Sequence, residues 1–84
     1  MTNLDELIAT ANKLRAPGGC PWDAEQTHAS LARYLLEETY EALEAMDQGD
    51  LGALREELGD LLLQVVFHAR IAQETDSTFS LDAI

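Results

Sequence analysis

Two long segments of the chain, LARYLLEETYEALEAM and LREELGDLLLQVVFHARIA, repeat their apolar residues with the period of an α-helix. The short stretch DQGD follows the first of them. In it, Gly49 can take the left-handed conformation that ends a helix, and Asp50 can cap the next one. The pattern predicts one helix that ends at about Met46 or Asp47 and another over about residues 51–73. Because the connection is so short, we expect the two helices to lie side by side and antiparallel.

The N-terminal part of the chain predicts a further helix over about residues 3–15, with Thr2 or Asn3 as its cap. The stretch APGGCPWD then places two prolines and two adjacent glycines close together, which predicts a rigid, irregular turn that fixes Trp22. Three residues in or after that turn offer successive caps for the long helix that follows: Asp23, Gln26 and Thr27.

The C-terminal stretch ETDSTFSLDAI predicts a polar loop and then a fourth helix, capped by Ser80, that has only begun when the sequence reaches Ile84. No strand or repeat is indicated, so the predicted fold class is all-α. We expect an antiparallel helical bundle in a single domain over residues 1–84, with its last helix truncated. A chain of 84 residues is short for a self-sufficient core, and we expect a second copy to complete the bundle.

Two further features of the helical segments carry expectations about packing. Gly59 lies inside a predicted helix, where glycine costs about 1 kcal/mol, so we expect a neighbouring helix or a bound ligand to approach closely there. Three aromatic residues recur at helical spacing and are expected in the core: Tyr34, Tyr40 and Phe67.

The net charge of −11 at pH 7, from 16 acidic and 5 basic residues, limits the partners of the chain. Nucleic acid polymers and anionic membranes bind to basic patches, so we expect neither partner, and an anionic substrate would bind across divalent cations. No apolar stretch approaches the ~20 residues that span a bilayer, and the acidic N-terminus differs from a secretory signal, so the expected location is cytoplasmic. The single cysteine, Cys20, excludes an internal disulfide and is expected to be half-buried at a turn.

Four carboxylates form two pairs, each within one helical turn: Glu38 with Glu41, and Glu57 with Asp60. Glu38 falls in the middle of an apolar stripe, where a carboxylate without a partner is costly or takes up a proton. No lysine or arginine lies four residues from either pair to neutralise it. Carboxylate oxygens favour hard cations, so the pairs predict a site for Mg²⁺, or Mn²⁺ in its place, that bridges a di- or triphosphate. The alternative is an ordinary solvated acidic face.

A polar seam continues from the second pair along the same helix, because Gln64 and His68 follow Asp60 at four-residue steps among apolar neighbours. Both can contact a substrate or ordered water. For His68 the alternative is a hydrogen-bonded histidine of the core. Glu37 lies just off the apolar stripe, where it can support the metal ligands or act as the base that takes a proton from the attacking water.

The stretch CPWDAEQTHASLARYLLEETYEALEA, followed by LREELGDLLLQVVFHARIAQE, closely resembles the MazG nucleoside triphosphate pyrophosphohydrolases. This family belongs to an all-α superfamily with the dimeric dUTPases and phosphoribosyl-ATP pyrophosphohydrolase. The superfamily signature is two glutamates, two spacers and a glutamate, then a glutamate, two spacers and an aspartate. Five residues fill it: Glu37, Glu38, Glu41, Glu57 and Asp60. The CPWD turn is characteristic of MazG itself, and the resemblance covers about residues 4–84.

The resemblance implies Mg²⁺-dependent hydrolysis of an NTP or dNTP between the α- and β-phosphates, which gives the monophosphate and pyrophosphate in a house-cleaning role. It implies that the two carboxylate pairs are the metal ligands, and that Glu37 and Glu38 serve the catalytic step. It also implies a homodimer or tetramer. Two alternatives stay open: a dUTP-specific or phosphoribosyl-ATP enzyme, and an inactive helical oligomerisation module that retains the acidic motif.

Four residues are candidate substrate contacts: Trp22, Arg33, Gln64 and His68. Trp22 can stack on a nucleotide base or cap the bundle core. Arg33 is one of the few cations near the acidic residues, at the spacing that would pair it with Glu37. The resemblance implies a further helix that supplies basic or amide groups to the phosphates. The sequence reaches Ile84 before that helix, so we expect those groups to be absent or to come from a partner protomer.

Overall fold

The structure, a computed structural model, describes residues 3–84. Its helices are α1 (Asn3–Arg15), α2 (Pro21–Glu25), α3 (His28–Gln48) and α4 (Leu51–Gln73), and a 3₁₀ turn follows at Leu81–Ala83. The described residues contain no strand, which confirms the all-α class. No helix within them is long and apolar enough to cross a membrane. The cap expected at Thr2 lies outside the described residues.

Helices α3 and α4 form the predicted antiparallel hairpin. His28 contacts His68 near one end of the pair, and Glu41 lies close to Glu57 further along. Residue numbers therefore rise along one helix as they fall along the other. Gly49 has a φ of 67°, in the left-handed region, and ends α3 as expected. The side chain of Asp50 accepts a hydrogen bond from the Ala53 amide at 3.0 Å and caps α4.

The APGGCPWD stretch is more regular than the sequence predicts, because its second half forms the short helix α2. Pro21 occupies the start of α2, where its fixed φ suits the first turn, and Cys20 precedes it as the half-buried cap residue. Of the three caps offered for the next helix, Thr27 is the one used. Its hydroxyl accepts from the Ser30 amide at 3.1 Å, and the Thr27 amide donates to the Ser30 hydroxyl at 2.8 Å.

The core lies at one end of the hairpin, where α1 packs against α4 and the start of α3. Four buried side chains form its centre: Ala11, Leu31, Val66 and Phe67. Beyond that end the described chain leaves many apolar side chains of the hairpin uncovered. Seven of these side chains are 43–75 % exposed: Leu36, Tyr40, Leu43, Met46, Leu51, Leu58 and Leu62.

Several packing expectations are not met within the described chain. Phe67 is in the core, but Tyr34 and Tyr40 are 42 % and 65 % exposed, because no element of the described chain covers their side of α3. Trp22 is 55 % exposed and does not cap the core. A Cβ added to Gly59 would meet no described atom within 4 Å, so no neighbouring helix of the described chain approaches there. The expected C-terminal helix is a single 3₁₀ turn, capped by Ser80.

Candidate metal centre

The hairpin brings the glutamates of both helices together. Glu38, Glu41 and Glu57 each offer a carboxylate oxygen, and these three oxygens lie within 4.8 Å of one another. Glu38 and Glu41 share one face of α3 because they are three residues apart, and the antiparallel pairing sets Glu57 of α4 opposite them. We call these three residues the acidic cluster.

Two oxygens of the acidic cluster are buried without a donor. Oε2 of Glu38 and Oε2 of Glu57 have negligible solvent contact, and no described residue donates a hydrogen bond to either. A buried acceptor without a donor costs about 1–3 kcal/mol, and more when it is charged. A cation between the two helices would satisfy both oxygens, and oxygen ligands of this kind suit Mg²⁺ or Mn²⁺.

The electrostatics of the acidic cluster follow from its crowding. Burial, followed by the charges of Glu41 and Asp60, raises the pKa of Glu38. The contact with Glu57 raises the pKa of Glu41. For Glu57 the contact with Glu41 lowers the pKa, but the contact with Glu38, burial and the charges of Glu38 and Asp60 outweigh it, so its pKa is raised. All three shifts reflect burial and mutual repulsion, since no positively charged side chain is among their causes.

Asp60 and Glu37 stand beside the acidic cluster. Asp60 is exposed and is not one of the three converging glutamates, although its charge acts on each of them. Glu37 is exposed on α3, next to Glu38. The structure therefore brings together three of the four predicted ligands, and it leaves the fourth, Asp60, exposed beside them, as it does Glu37.

The polar seam continues from the acidic cluster along α4, as the sequence predicts. Gln64 and His68 are half-buried, and Oε1 of Gln64 and Nε2 of His68 are buried without a hydrogen-bond partner among residues 3–84. With Glu38 and Glu57, they make up all the buried side-chain polar atoms of the described chain that lack a partner. The unsatisfied buried side-chain atoms of residues 3–84 thus lie along one seam.

An aromatic pocket of about 150 Å³ opens beside this seam. We use this name for the cavity lined by Trp22, Asp23, Gln26, Leu31, Tyr34, Leu63, Gln64 and Phe67. Gln64 is seven residues from Glu57, which is about 10 Å along the axis of α4 at 1.5 Å per residue. The pocket combines apolar walls with one unsatisfied amide oxygen, which is the composition of a small-molecule site.

His68 has a partner that the sequence does not reveal. Its Nδ1 lies 2.7 Å from Nδ1 of His28, and the two rings stack at 5.0 Å between centroids. Burial, and then the charge of His28, lowers the pKa of His68. One ring must accept while the other donates, so the pair forms only when at least one of the two histidines is neutral.

Other site residues differ from the expectation or were missed. Arg33 is exposed and forms no ion pair with Glu37 or any other residue between 3 and 84. The sequence predicts Asp23 and Gln26 only as helix caps, but in the structure both line the aromatic pocket. Their signal in the sequence was their place in the turn that carries Trp22.

Comparison with known proteins identifies the family. Residues 26–84 match the family described as the MazG nucleotide pyrophosphohydrolase domain. The chain belongs to the MazG family. It is 57 % identical over 82 residues to the nucleoside triphosphate pyrophosphohydrolase of Mycobacterium tuberculosis, which covers 96 % of this chain and 25 % of that protein. It is 57 % identical over 70 residues to the nucleoside triphosphate pyrophosphohydrolase/pyrophosphatase MazG of Thermotoga maritima, covering 83 % of this chain and 28 % of the relative.

The Escherichia coli nucleoside triphosphate pyrophosphohydrolase is 56 % identical over 75 residues, covering 88 % of this chain and 28 % of its own length. The chain thus spans about a quarter of the length of these MazG relatives. The segment that matches the MazG domain contains all five acids of the signature, together with α3 and α4.

Proposed function

We propose that this chain hydrolyses nucleoside triphosphates, NTPs or dNTPs, to the monophosphate and pyrophosphate, and that it requires Mg²⁺. The observation that carries the proposal is the acidic cluster, with its two buried oxygens that lack a donor, at the head of a seam that leads to the aromatic pocket. The names of the MazG relatives point to the same reaction. Its role would be to remove surplus or noncanonical nucleotides, and its expected location is cytoplasmic.

The metal ligands in this proposal are Glu38, Glu41, Glu57 and Asp60. The first three already converge, and their raised pKa values support a cation among them. Bound Mg²⁺ supplies the positive charge that neutralises the phosphates and the charge that develops as the phosphoanhydride bond breaks. Without a cation, a chain of net charge −11 would repel a triphosphate.

The remaining residues orient the substrate and the attacking water. Glu37, exposed beside Glu38, is the base that accepts a proton from that water. Trp22 and Tyr34 line the aromatic pocket and present the faces on which a base can stack. Oε1 of Gln64 accepts from an N–H group of the nucleotide, and His68 lies one turn further along. Arg33, free of any partner in the described chain, is available to a phosphate.

The functional unit in this proposal is a homodimer or a tetramer. The uncovered apolar side chains of α3 and α4 lie outside the core, and several are more than half exposed. Burying them stabilises an assembly by about 25 cal/mol for each Å² removed from water. A second copy of the chain also offers the cationic and amide groups that the site lacks for its phosphates.

A substrate panel with product identification tests the proposed reaction. The purified chain is incubated with Mg²⁺ and each canonical NTP and dNTP, with dUTP, and with phosphoribosyl-ATP, and the products are separated by ion-exchange chromatography. The proposal predicts pyrophosphate and the monophosphate from several NTPs or dNTPs. Turnover of dUTP alone, or of phosphoribosyl-ATP alone, would replace it with the corresponding specific enzyme. No turnover by the folded chain at high protein and Mg²⁺ concentration would favour an inactive oligomerisation module.

A further inference from the structure

Arg15, at the end of α1, makes a set of contacts that the proposed mechanism does not use. Its side chain is only 5 % exposed. Nε and Nη2 donate to the two carboxylate oxygens of Glu74, at 2.7 and 2.8 Å. Nη1 donates to two backbone carbonyl oxygens of the α2 segment, those of Asp23 at 2.7 Å and Gln26 at 2.9 Å. One guanidinium thus joins α1, the segment after α4, and α2.

Helix α2 depends on such contacts for its position. It has five residues, none of them buried, so its apolar contacts with the rest of the molecule are limited. A helix of this length is also unstable by itself. Apart from Arg15, Gln26 links it to α3 by accepting from the Ser30 hydroxyl at 2.8 Å, while its amide donates to the Trp22 carbonyl at 2.9 Å.

The glycines before α2 bring the chain back to Arg15. Gly18 has a φ of 83°, which favours glycine. A Cβ at Gly19 would overlap the carbonyl oxygens of Lys13 and Leu14, so only glycine fits against the end of α1 there. This close return places the carbonyl end of α2 over the guanidinium, where a cation is favoured by the helix dipole as well as by the hydrogen bonds.

We propose that Arg15 is a positioning residue for the aromatic pocket: anchored by Glu74, it holds the Asp23 and Gln26 carbonyls and so fixes the wall that carries Trp22. This inference rests on the proposed function, in which the pocket receives the base of the nucleotide. Three of the eight residues that line the pocket, Trp22, Asp23 and Gln26, belong to the segment that Arg15 holds. Arg15 itself does not line the pocket.

The geometry requires arginine. Its planar fork binds the Glu74 carboxylate with two parallel hydrogen bonds while a third nitrogen serves two carbonyls, and a lysine ammonium cannot span both groups in this way. Hydrogen bonding to Arg15 lowers the pKa of Glu74, which is consistent with a strong pair.

Trp22 is the only tryptophan of the sequence, so its fluorescence reports on α2 directly. The test compares wild type with Arg15→Met, which keeps the apolar stem, and with Arg15→Lys. The matched control is Arg70→Met, because Arg70 also binds Glu74, at 2.9 Å, but contacts neither α2 carbonyl. Acrylamide quenching is measured first, without nucleotide or metal, and then kcat and KM are measured with Mg²⁺ and the best substrate of the panel.

Release of α2 in Arg15→Met should raise the acrylamide quenching of Trp22 fluorescence. The rise stays below twofold, because Trp22 is already 55 % exposed. We expect KM to rise about tenfold with kcat nearly unchanged, since the base loses its wall while the acidic cluster is intact. Arg15→Lys should fall between wild type and Arg15→Met, and Arg70→Met should match wild type in both readouts. Circular dichroism establishes that each variant is folded.

Unchanged quenching in folded Arg15→Met or Arg15→Lys overturns the proposal. So does a loss confined to kcat, which would mean that Arg15 acts on the chemical step and not on binding of the base. An equal effect in Arg70→Met also overturns it, because Arg15 would then act only on general stability. If the wild-type chain releases no pyrophosphate, the proposed function fails, and the nucleotide-free quenching still decides whether Arg15 holds α2.

Discussion

Replacing Glu38 by glutamine should stabilise the metal-free protein. Oε2 of Glu38 is buried without a donor, and its charge lies close to Glu41 and Glu57. An unsatisfied buried acceptor costs about 1–3 kcal/mol, and because the side chain is only half-buried, solvent screening favours the lower limit, about 1 kcal/mol. For a domain of this size that energy corresponds to a rise of about 4–8 °C in Tm. Differential scanning calorimetry in EDTA at pH 8 and fixed protein concentration measures it.

The effect should depend on pH and on metal. The pKa of Glu38 is raised in the folded state. The destabilisation caused by its buried charge is therefore absent below the unfolded pKa of about 4.3, and it grows as pH rises through the folded pKa. The advantage of Glu38→Gln should therefore disappear at pH 4. Added Mg²⁺ should raise the Tm of wild type, because a cation bound to the folded state stabilises it. The difference in Tm between wild type and Glu38→Gln should then become smaller.

Glu37→Gln is the matched control, since it removes the same charge from the exposed neighbouring residue of α3. It should shift Tm by less than Glu38→Gln at pH 8. A Glu38→Gln protein no more stable than wild type, or no different from Glu37→Gln, would refute the reasoning that an uncompensated charge is buried at this site.

Two further predictions concern residues outside the acidic cluster. The pKa of Glu74 is lowered by Arg15, so its stabilisation is present above the unfolded value of about 4.3 and is lost as pH falls through the folded value. The urea concentration at the midpoint of unfolding should therefore be higher for wild type than for Glu74→Gln at pH 7, and the two midpoints should be equal at pH 3. The same difference between the midpoints at both pH values would contradict this. Tyr40 is 65 % exposed among other apolar side chains, so Tyr40→Glu should weaken self-association, whereas the exposed α4 variant Glu56→Gln should not. Sedimentation velocity measures this, and an unchanged assembly for Tyr40→Glu would place the interface elsewhere.

The sequence predicts the elements of this fold well because their signals are local. Apolar periodicity gives α1 and α4 with the observed limits, and the caps at Gly49 and Asp50 define the break between the long helices. The acidic cluster follows from the same periodicity, since two carboxylate pairs on facing helices meet once the hairpin closes.

What the sequence does not predict is of two kinds: contacts between separate segments, and what covers an apolar surface. The four bonds of Arg15 and the pairing of His28 with His68 join different segments, 8 to 59 residues apart, and helical spacing carries no information about them. Tyr40 lies at a position that periodicity assigns to a core, yet in the described chain nothing packs over it. A stripe pattern indicates which side is apolar and does not indicate what covers that side.

The central claim is that the acidic cluster holds the metal on which pyrophosphate release depends, and a comparison of Glu57→Gln with Glu56→Gln tests it most directly. Glu56 is exposed and adjacent, whereas Oε2 of Glu57 is buried in the cluster without a donor. With Mg²⁺ and the best dNTP, Glu56→Gln should release pyrophosphate at nearly the wild-type rate, and folded Glu57→Gln should be slower by at least about 100-fold. Equal rates for the two variants, or orthophosphate as the first product of wild type, would contradict the account.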